Sequence, residues 1–330
     1  MTNRLVGATI AVFGLLAIVG LVFVLSEYQI YQLTMVVIFA IVILGTNILT
    51  GFTGQLSLAT NAFVAVGSYI AAILVADYGW PWYTTIPIAS LAGFFLGWGF
   101  SLPALRLKGL YLATATLALS VAVVPVLKRA DPITHGASGI LVPRPESPVA
   151  WLEGYQWRFF VALAVALVVF VLVRNLLNGH VGRALIAIRD NEIVASIEGV
   201  NLANYKGLAF AVSSALSAVT GALLCFNVGI VEPSAFSLDF SVMMIAASVL
   251  GGASTVFGAV VGGVISVYLP TLANDFNQAL VGLIYGMTIV IFMVWMPQGI
   301  VGTLTDIFQR RSKKRSGSDL AIPVPVRLYP

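Results

Sequence analysis

YQIYQLTMVVIFAIVILGTNILTGFTGQLSLATNAFVAVGSYIAAILVA, running from Tyr28 to Ala76, contains no Asp, Glu, Lys or Arg. About 20 apolar residues in a helix cross the hydrocarbon core of a bilayer, so this stretch is long enough to cross it twice. It is punctuated once, by Thr50-Gly51-Phe52-Thr53-Gly54-Gln55, a cluster of turn-forming residues. The reading is therefore a pair of membrane segments, Ile30 to Leu49 and Ser57 to Ala76, joined by a polar break. That reading makes lipid the solvent for the protein.

The rest of the chain agrees. Of 330 residues, 59% are hydrophobic and 9% charged, with a mean hydropathy of +1.00. Soluble domains carry about one-quarter charged residues, so a soluble globular fold is excluded. Because a charge at the bilayer centre costs about 2.5–3.5 kcal/mol, uncharged intervals mark the remaining candidate spans. They run from Leu5 to Leu25, Tyr78 to Leu105, Gly109 to Leu127, Phe159 to Val173, Gly207 to Val231, Phe240 to Asn274 and Phe276 to Thr305. The interval ending at Val173 can be lengthened, since Arg158 and Arg174 can extend their head groups toward the interface. The Phe240–Asn274 interval is interrupted by Gly251-Gly252-Ala253-Ser254 and is expected to end near Pro270, giving two short helices or a re-entrant pair.

These intervals predict an all-α integral membrane protein of about ten transmembrane segments, some short or re-entrant. Placing the basic tail Arg310, Arg311, Lys313, Lys314 and Arg315 in the cytoplasm puts the N-terminus inside as well, and leaves Lys128, Arg129, Arg144 and Arg158 as the basic residues outside. The transmembrane body then covers 1–309, with an inner loop at 176–206, and 310–330 forms a basic cytoplasmic tail. The first segment follows Arg4 but lacks a small-x-small cleavage pattern, and is expected to be a retained helix.

Several functions lack their residues. The proposed span centres hold no Asp, Glu or His, which argues against coupling to protons and weakens the case for sodium. No G-x-x-x-x-G-K-[ST] run is present, so ATP driving this chain would have to be bound by another subunit. His135 and His180 have no Cys or His partner at ligand spacing, so neither a metal nor another cofactor is expected. No paired nucleophile and base stands out, no nucleic-acid partner is expected, and the single Cys225 can form no intrachain disulfide.

The inner loop is the most informative soluble stretch. Asp190 or Asn191 can cap a short helix there and Gly199 can end it, so that Ile193, Val194 and Ile197 share one face while Arg189, Glu192 and Ser196 occupy another. By itself this also describes a linker helix lying on lipid headgroups.

Longer motifs add to this. Gly182-Arg183-Ala184-x-x-Ala187-Ile188-Arg189-Asp190-Asn191-Glu192, followed by Ala195 and Gly199, resembles the cytoplasmic coupling loop of branched-chain amino acid ABC transporter permeases of the LivM type. Further pieces match that family in order: Gly51-x-x-Gly54-Gln55-Leu56-Ser57-Leu58, Gly109-Leu110-Tyr111-Leu112-Ala113-Thr114-x-Thr116, Thr134-His135-Gly136-Ala137-Ser138-Gly139-Ile140, and Val249-Leu250-Gly251-Gly252 with Gly258 and Gly262. His135 departs from the pattern, since glycine is usual there, as does Ala59-Thr60. The resemblance covers the chain up to about Arg310. It implies an importer subunit that works with a homologous permease, two cytoplasmic ATPases and a periplasmic solute-binding protein in a bacterial inner membrane. It also implies that Arg183, Ala187, Arg189, Asp190, Glu192, Ala195 and Gly199 meet the ATPase. Urea or a short amide as cargo stays open, as does an ATPase-independent carrier or channel.

A polar solute needs exposed backbone, hydroxyls or amides along its way through the bundle. Gly54, Gln55 and Ser57 in the break, and Tyr111, Thr114 and Thr116 on the fifth span, are the pathway candidates. The first set reads equally as an ordinary turn, and threonines in membrane helices often bond their own backbone. Gly251, Gly252, Gly258, Gly262 and Gly263 read as close-packing positions. A faint internal repeat relates Ser57, Phe63, Ala65 and Gly67 to Ser254, Phe257, Ala259 and Gly262.

Overall fold

The computed structural model describes residues 22–104, 110–148 and 152–276, with isolated positions at 20 and between 286 and 303. The segment expected from Leu5 to Leu25 lies outside these except at its end, the Phe276–Thr305 run apart from isolated positions, and the basic tail entirely.

Helix α1 spans Glu27–Asn47 and starts on a capping box, with the Ser26 N–H donating to Gln29 Oε1 at 3.1 Å. It does not simply stop at the predicted break. The helix widens into a π turn over Ile48–Phe52 and then gives way to irregular chain before α2, Thr60–Ala76. Threonine hydroxyls take up carbonyls along this transition: Thr46 donates to Val42 O, Thr50 to Thr46 O and Thr53 to Leu49 O. Gly54 at φ +69° supplies the left-handed turn that lets the chain leave the helix axis.

Helices α3 (Trp82–Ala104) and α4 (Leu110–Arg129) follow, then a one-turn helix α5 (Asp131–Thr134) and the strand β1 (Ile140–Leu141). Long helix α6 (Gly154–Asn178) leads into the inner loop, which contains α7 (His180–Asp190) and α8 (Glu192–Ile197). The chain returns through α9 (Leu202–Val228), and β2 (Ile230–Val231) pairs antiparallel with β1. His135 adopts φ 56°, a left-handed conformation, which explains why glycine suits that position in the related motif.

The Phe240–Asn274 interval forms two short helices, α10 (Leu238–Gly251) and α11 (Gly258–Phe276), with the turn where the glycines predict it. The expectation at Pro270 is corrected, because α11 runs through it. Proline removes one ladder donor there, and the adjacent Thr271 hydroxyl donates to Val267 O at 2.8 Å. The hairpin is tight: a Cβ at Gly251 would stand 2.1 Å from Gly258 O, and one at Gly262 would stand 2.6 Å from Ala247 O.

Among the described residues, five helices are long and apolar enough to cross a membrane, namely Glu27–Phe52, Trp82–Pro103, Tyr111–Arg129, Gly154–Asn178 and Leu202–Val228. Three shorter apolar helices, Thr60–Ala76, Leu238–Gly251 and Gly258–Leu272, accompany them. The central one is α9, 83% buried, against 22% for α4 and α6, whose Val121, Val126, Val168, Val171 and Leu172 remain exposed. Small side chains make that position possible. A Cβ at Gly67 would lie 2.0 Å from Ala218 O, and one at Gly221 would lie 2.0 Å from Val64 O, so α2 and α9 meet backbone to backbone. Ser68 donates to Gly221 O at 2.8 Å across the same contact. Cys225 is buried in α9.

The two interrupted regions pack on one another. A Cβ at Gly51 would fall 1.7 Å from Ala253 O, and Asn47 Nδ2 donates to Thr255 O at 3.0 Å while Ser248 Oγ donates to Asn47 Oδ1. The faint repeat in sequence thus corresponds to two breaks in mutual contact, each followed by a short apolar helix.

Candidate functional site

At the inner loop, Asn191 takes an extended conformation that ends α7, and its Oδ1 accepts from the Ile193 and Val194 N–H groups at 3.0 and 3.1 Å. Gly199, at φ +86°, closes α8 by donating to Ser196 O at 3.2 Å. Between these caps Ala195 is buried, while Ile193, Val194 and Ile197 are 71%, 49% and 80% exposed. The short helix thus presents its apolar side chains away from the protein. Replacing Asn191 by Ala is expected to cost the loop about 1 kcal/mol, since two N–H groups lose their acceptor. Faster amide exchange at Ile193 and Val194, with α9 unchanged, is the measurement.

The sequence reading predicted one helix here, and the structure has two. Helix α7 buries Gly182, Ala184, Leu185 and Ile188 against the bundle, leaving Arg183, Arg189 and Asp190 exposed and Ala187 half-buried. Its N-terminal turn is pressed onto α6, because a Cβ at Gly182 would stand 1.8 Å from Leu177 O.

Polar contacts tie this loop to the transmembrane part at two points. Arg189 Nη1 donates to Gly51 O in the π turn at 3.0 Å, while its Nε and Nη2 hold Asp190 Oδ1 at 3.1 and 3.0 Å. Gly54 packs against the Arg189 stem, its hypothetical Cβ being 3.3 Å from Cγ. At the first residue of α8, Glu192 Oε1 accepts from Lys206 Nζ on α9 at 2.6 Å. Lys206 is largely buried in this pair, which strengthens it over a fully exposed one. The sequence reading missed Lys206 and the Gly51 carbonyl, because neither lies on the helix that their partners mark.

The pathway candidates separate into two groups. Gly54, Gln55, Ser57 and Thr116 come together at the first break: Thr116 Oγ1 donates to Leu112 O and Ala113 O and accepts from the Leu58 N–H at 3.0 Å. Gln55 is buried there with its Nε2 lacking an acceptor, and Ser57 is buried beside it. Tyr111 and Thr114 point away, both exposed, with the Thr114 hydroxyl on Tyr111 O. Asn61 is a bridge that the sequence could not assign. Its Nδ2 donates to Ser120 O and Phe236 O, its N–H donates to Ser241 Oγ and its Oδ1 accepts from Ser241, joining α2, α4 and α10. Among the described residues, no group of three or more His, Cys, Asp or Glu is placed to hold a metal.

Long apolar helices around a central one, interrupted by polar breaks, define a multi-pass membrane protein. The chain belongs to the family described as branched-chain amino acid transport system / permease component, whose model matches residues 28–293. It is 32% identical to the high-affinity branched-chain amino acid transport system permease protein LivM of Salmonella typhimurium, over 84% of this chain and 71% of that protein. The Escherichia coli K12 LivM protein is 31% identical with the same coverage. The LivH permease protein of Escherichia coli K12 is 26% identical over 80% of this chain and 91% of its own length. No solved structure matches the chain at a significant level. Proteins of this family are transport permease components, not enzymes.

Proposed function

We propose that this chain is a transmembrane subunit of a bacterial ABC importer for branched-chain amino acids, the cargo named for its LivM and LivH relatives. The observation that carries it is α8: an exposed apolar face, Ile193, Val194 and Ile197, on a capped helix whose N-terminal side is tied to the bundle through Arg189 just before it and Glu192 at its first residue. Such a face suits a groove on a cytoplasmic ATPase. Displacement of the loop acts on the first break through Arg189 and on the central helix through Glu192 and Lys206. These attachments turn an external movement into repacking of spans around Gly54, Gln55, Ser57 and Thr116. Arg183, Ala187, Asp190, Ala195 and Gly199 shape or flank the docking surface, whereas Tyr111 and Thr114 lie on an exposed face that suits the homologous permease or lipid.

In this reading the chain crosses an inner membrane about ten times, with both ends in the cytoplasm. Its partners are a homologous permease, two ATPases and a periplasmic solute-binding protein. The experiment is reconstitution of the four kinds of subunit in vesicles with labelled leucine. Uptake should require the ATPases and ATP, and equal uptake by this chain alone rejects the proposal. A charge-reversed Glu192→Arg variant should lose most uptake, and adding Lys206→Glu should recover part of it. No recovery would show that the ion pair does not transmit the movement.

A further inference from the structure

The end of the bundle opposite the inner loop carries a cavity of about 430 Å³. Helix α6 holds Arg158 near its start and reaches the loop at Asn178, while α9 leaves the loop at Leu202 and brings Asn227 back to the cavity. Helix α1 contributes Glu27, Tyr28 and Tyr31 from its first turns. At 1.5 Å per residue, the part of α6 from Arg158 to Asn178 separates the cavity from the loop by roughly 30 Å, the thickness of the hydrocarbon core of a bilayer. The cavity therefore lies at the level of the opposite headgroups, beside Trp157 and Tyr155, residue types that collect at that depth.

Its chemistry is a surplus of donors. Asn227 is 3% exposed and its Nδ2 has no acceptor, and the buried Arg158 Nε has none either. Arg144 donates one Nη2 bond to Val228 O at 2.9 Å, which holds its guanidinium at the rim. Neither arginine forms an ion pair with Glu27 among the described residues. Unpaired buried donors are costly, and an acceptor-only group would satisfy them. Two guanidiniums against one carboxylate leave a single positive charge, which matches a phosphodiester better than the more highly charged free phosphate. Arginine forks also suit tetrahedral oxyanions.

We propose that this cavity binds the phosphodiester headgroup of a membrane phospholipid, with Arg144 and Arg158 on its oxygens and the Asn227 amide donating to the same group. The assignment rests on the membrane setting and not on coupling to an ATPase. The test is thermal unfolding of the full chain in mild detergent with added phosphatidylglycerol, galactosyl diacylglycerol of matched acyl chains, inorganic phosphate or leucine. Phosphatidylglycerol should raise the unfolding temperature where the sugar lipid does not, a comparison that needs no variant. In Arg144→Gln/Arg158→Gln protein, the phospholipid concentration giving half the shift should rise by about tenfold or more. Equal stabilisation by both lipids would show that acyl chains alone act. A full effect from inorganic phosphate would make the occupant a soluble oxyanion, and one from leucine would make it a solute site; each of these outcomes overturns the lipid assignment.

Discussion

Under the proposed coupling, an Arg189→Ala chain should insert and assemble, continue to support ATP hydrolysis by partner ATPases, and import solute at least about tenfold more slowly. The side chain forms a charge-assisted hydrogen bond to Gly51 O and covers Gly54 with its stem, so its removal separates the inner loop from the first break. A hydrogen bond to a charged group contributes about 1.5–3 kcal/mol, the scale of typical coupling free energies. Because Arg189 is exposed, its loss should leave the fold intact. Parallel measurement of ATP turnover and labelled leucine uptake in the same vesicles decides the matter. Proportional loss of both rates would indicate failed docking, and unchanged uptake would remove Arg189 from the transmission.

The second large effect concerns stability. A Gly221→Val side chain would start 2.0 Å from Val64 O and 2.7 Å from Ser68 N, both backbone atoms that cannot turn aside. Helix α2 must then withdraw from α9, and the Ser68 bond to Gly221 O breaks with it. Overpacking of this kind costs about 1–3 kcal/mol or more, and here it acts on the most buried span. The expected result is a sharp fall in the amount of folded protein recovered in detergent and in its unfolding temperature. Gly99→Val, where a Cβ meets nothing within 4 Å, is the matched control and should be tolerated.

The features legible in the sequence are those encoded locally. Threonines and glycines at 50–54 announce a break because those residue types act on their own backbone, and Asn191 and Gly199 bracket a helix for the same reason. The π turn within that break was not legible, since it depends on how α1 packs rather than on its composition. Helix α7 was not legible, although Ala184, Leu185 and Ile188 form a buried face, because Gly179 at its start offers no capping side chain whereas Asn191 gives the shorter helix a clear one. The joints between distant parts left no periodic trace. Arg189 with Gly51, Asn47 with Thr255 and Asn61 with Ser241 unite positions separated by 138, 208 and 180 residues, and a helical repeat says which side a residue faces but not what stands opposite. The same limit explains why Tyr111 and Thr114 stood beside Thr116 as candidates. Spacing in one helix cannot tell which turn faces the break.

Cys225 is the chain's sole cysteine, and the packing around α9 seals its sulfur from solvent. Maleimide chemistry would therefore meet a silent background. A thiol placed at the exposed Ala203, outside the apolar face of α8, would carry a fluorophore or spin label alone, and distances from it could follow the loop through the proposed nucleotide cycle without prior removal of the native residue.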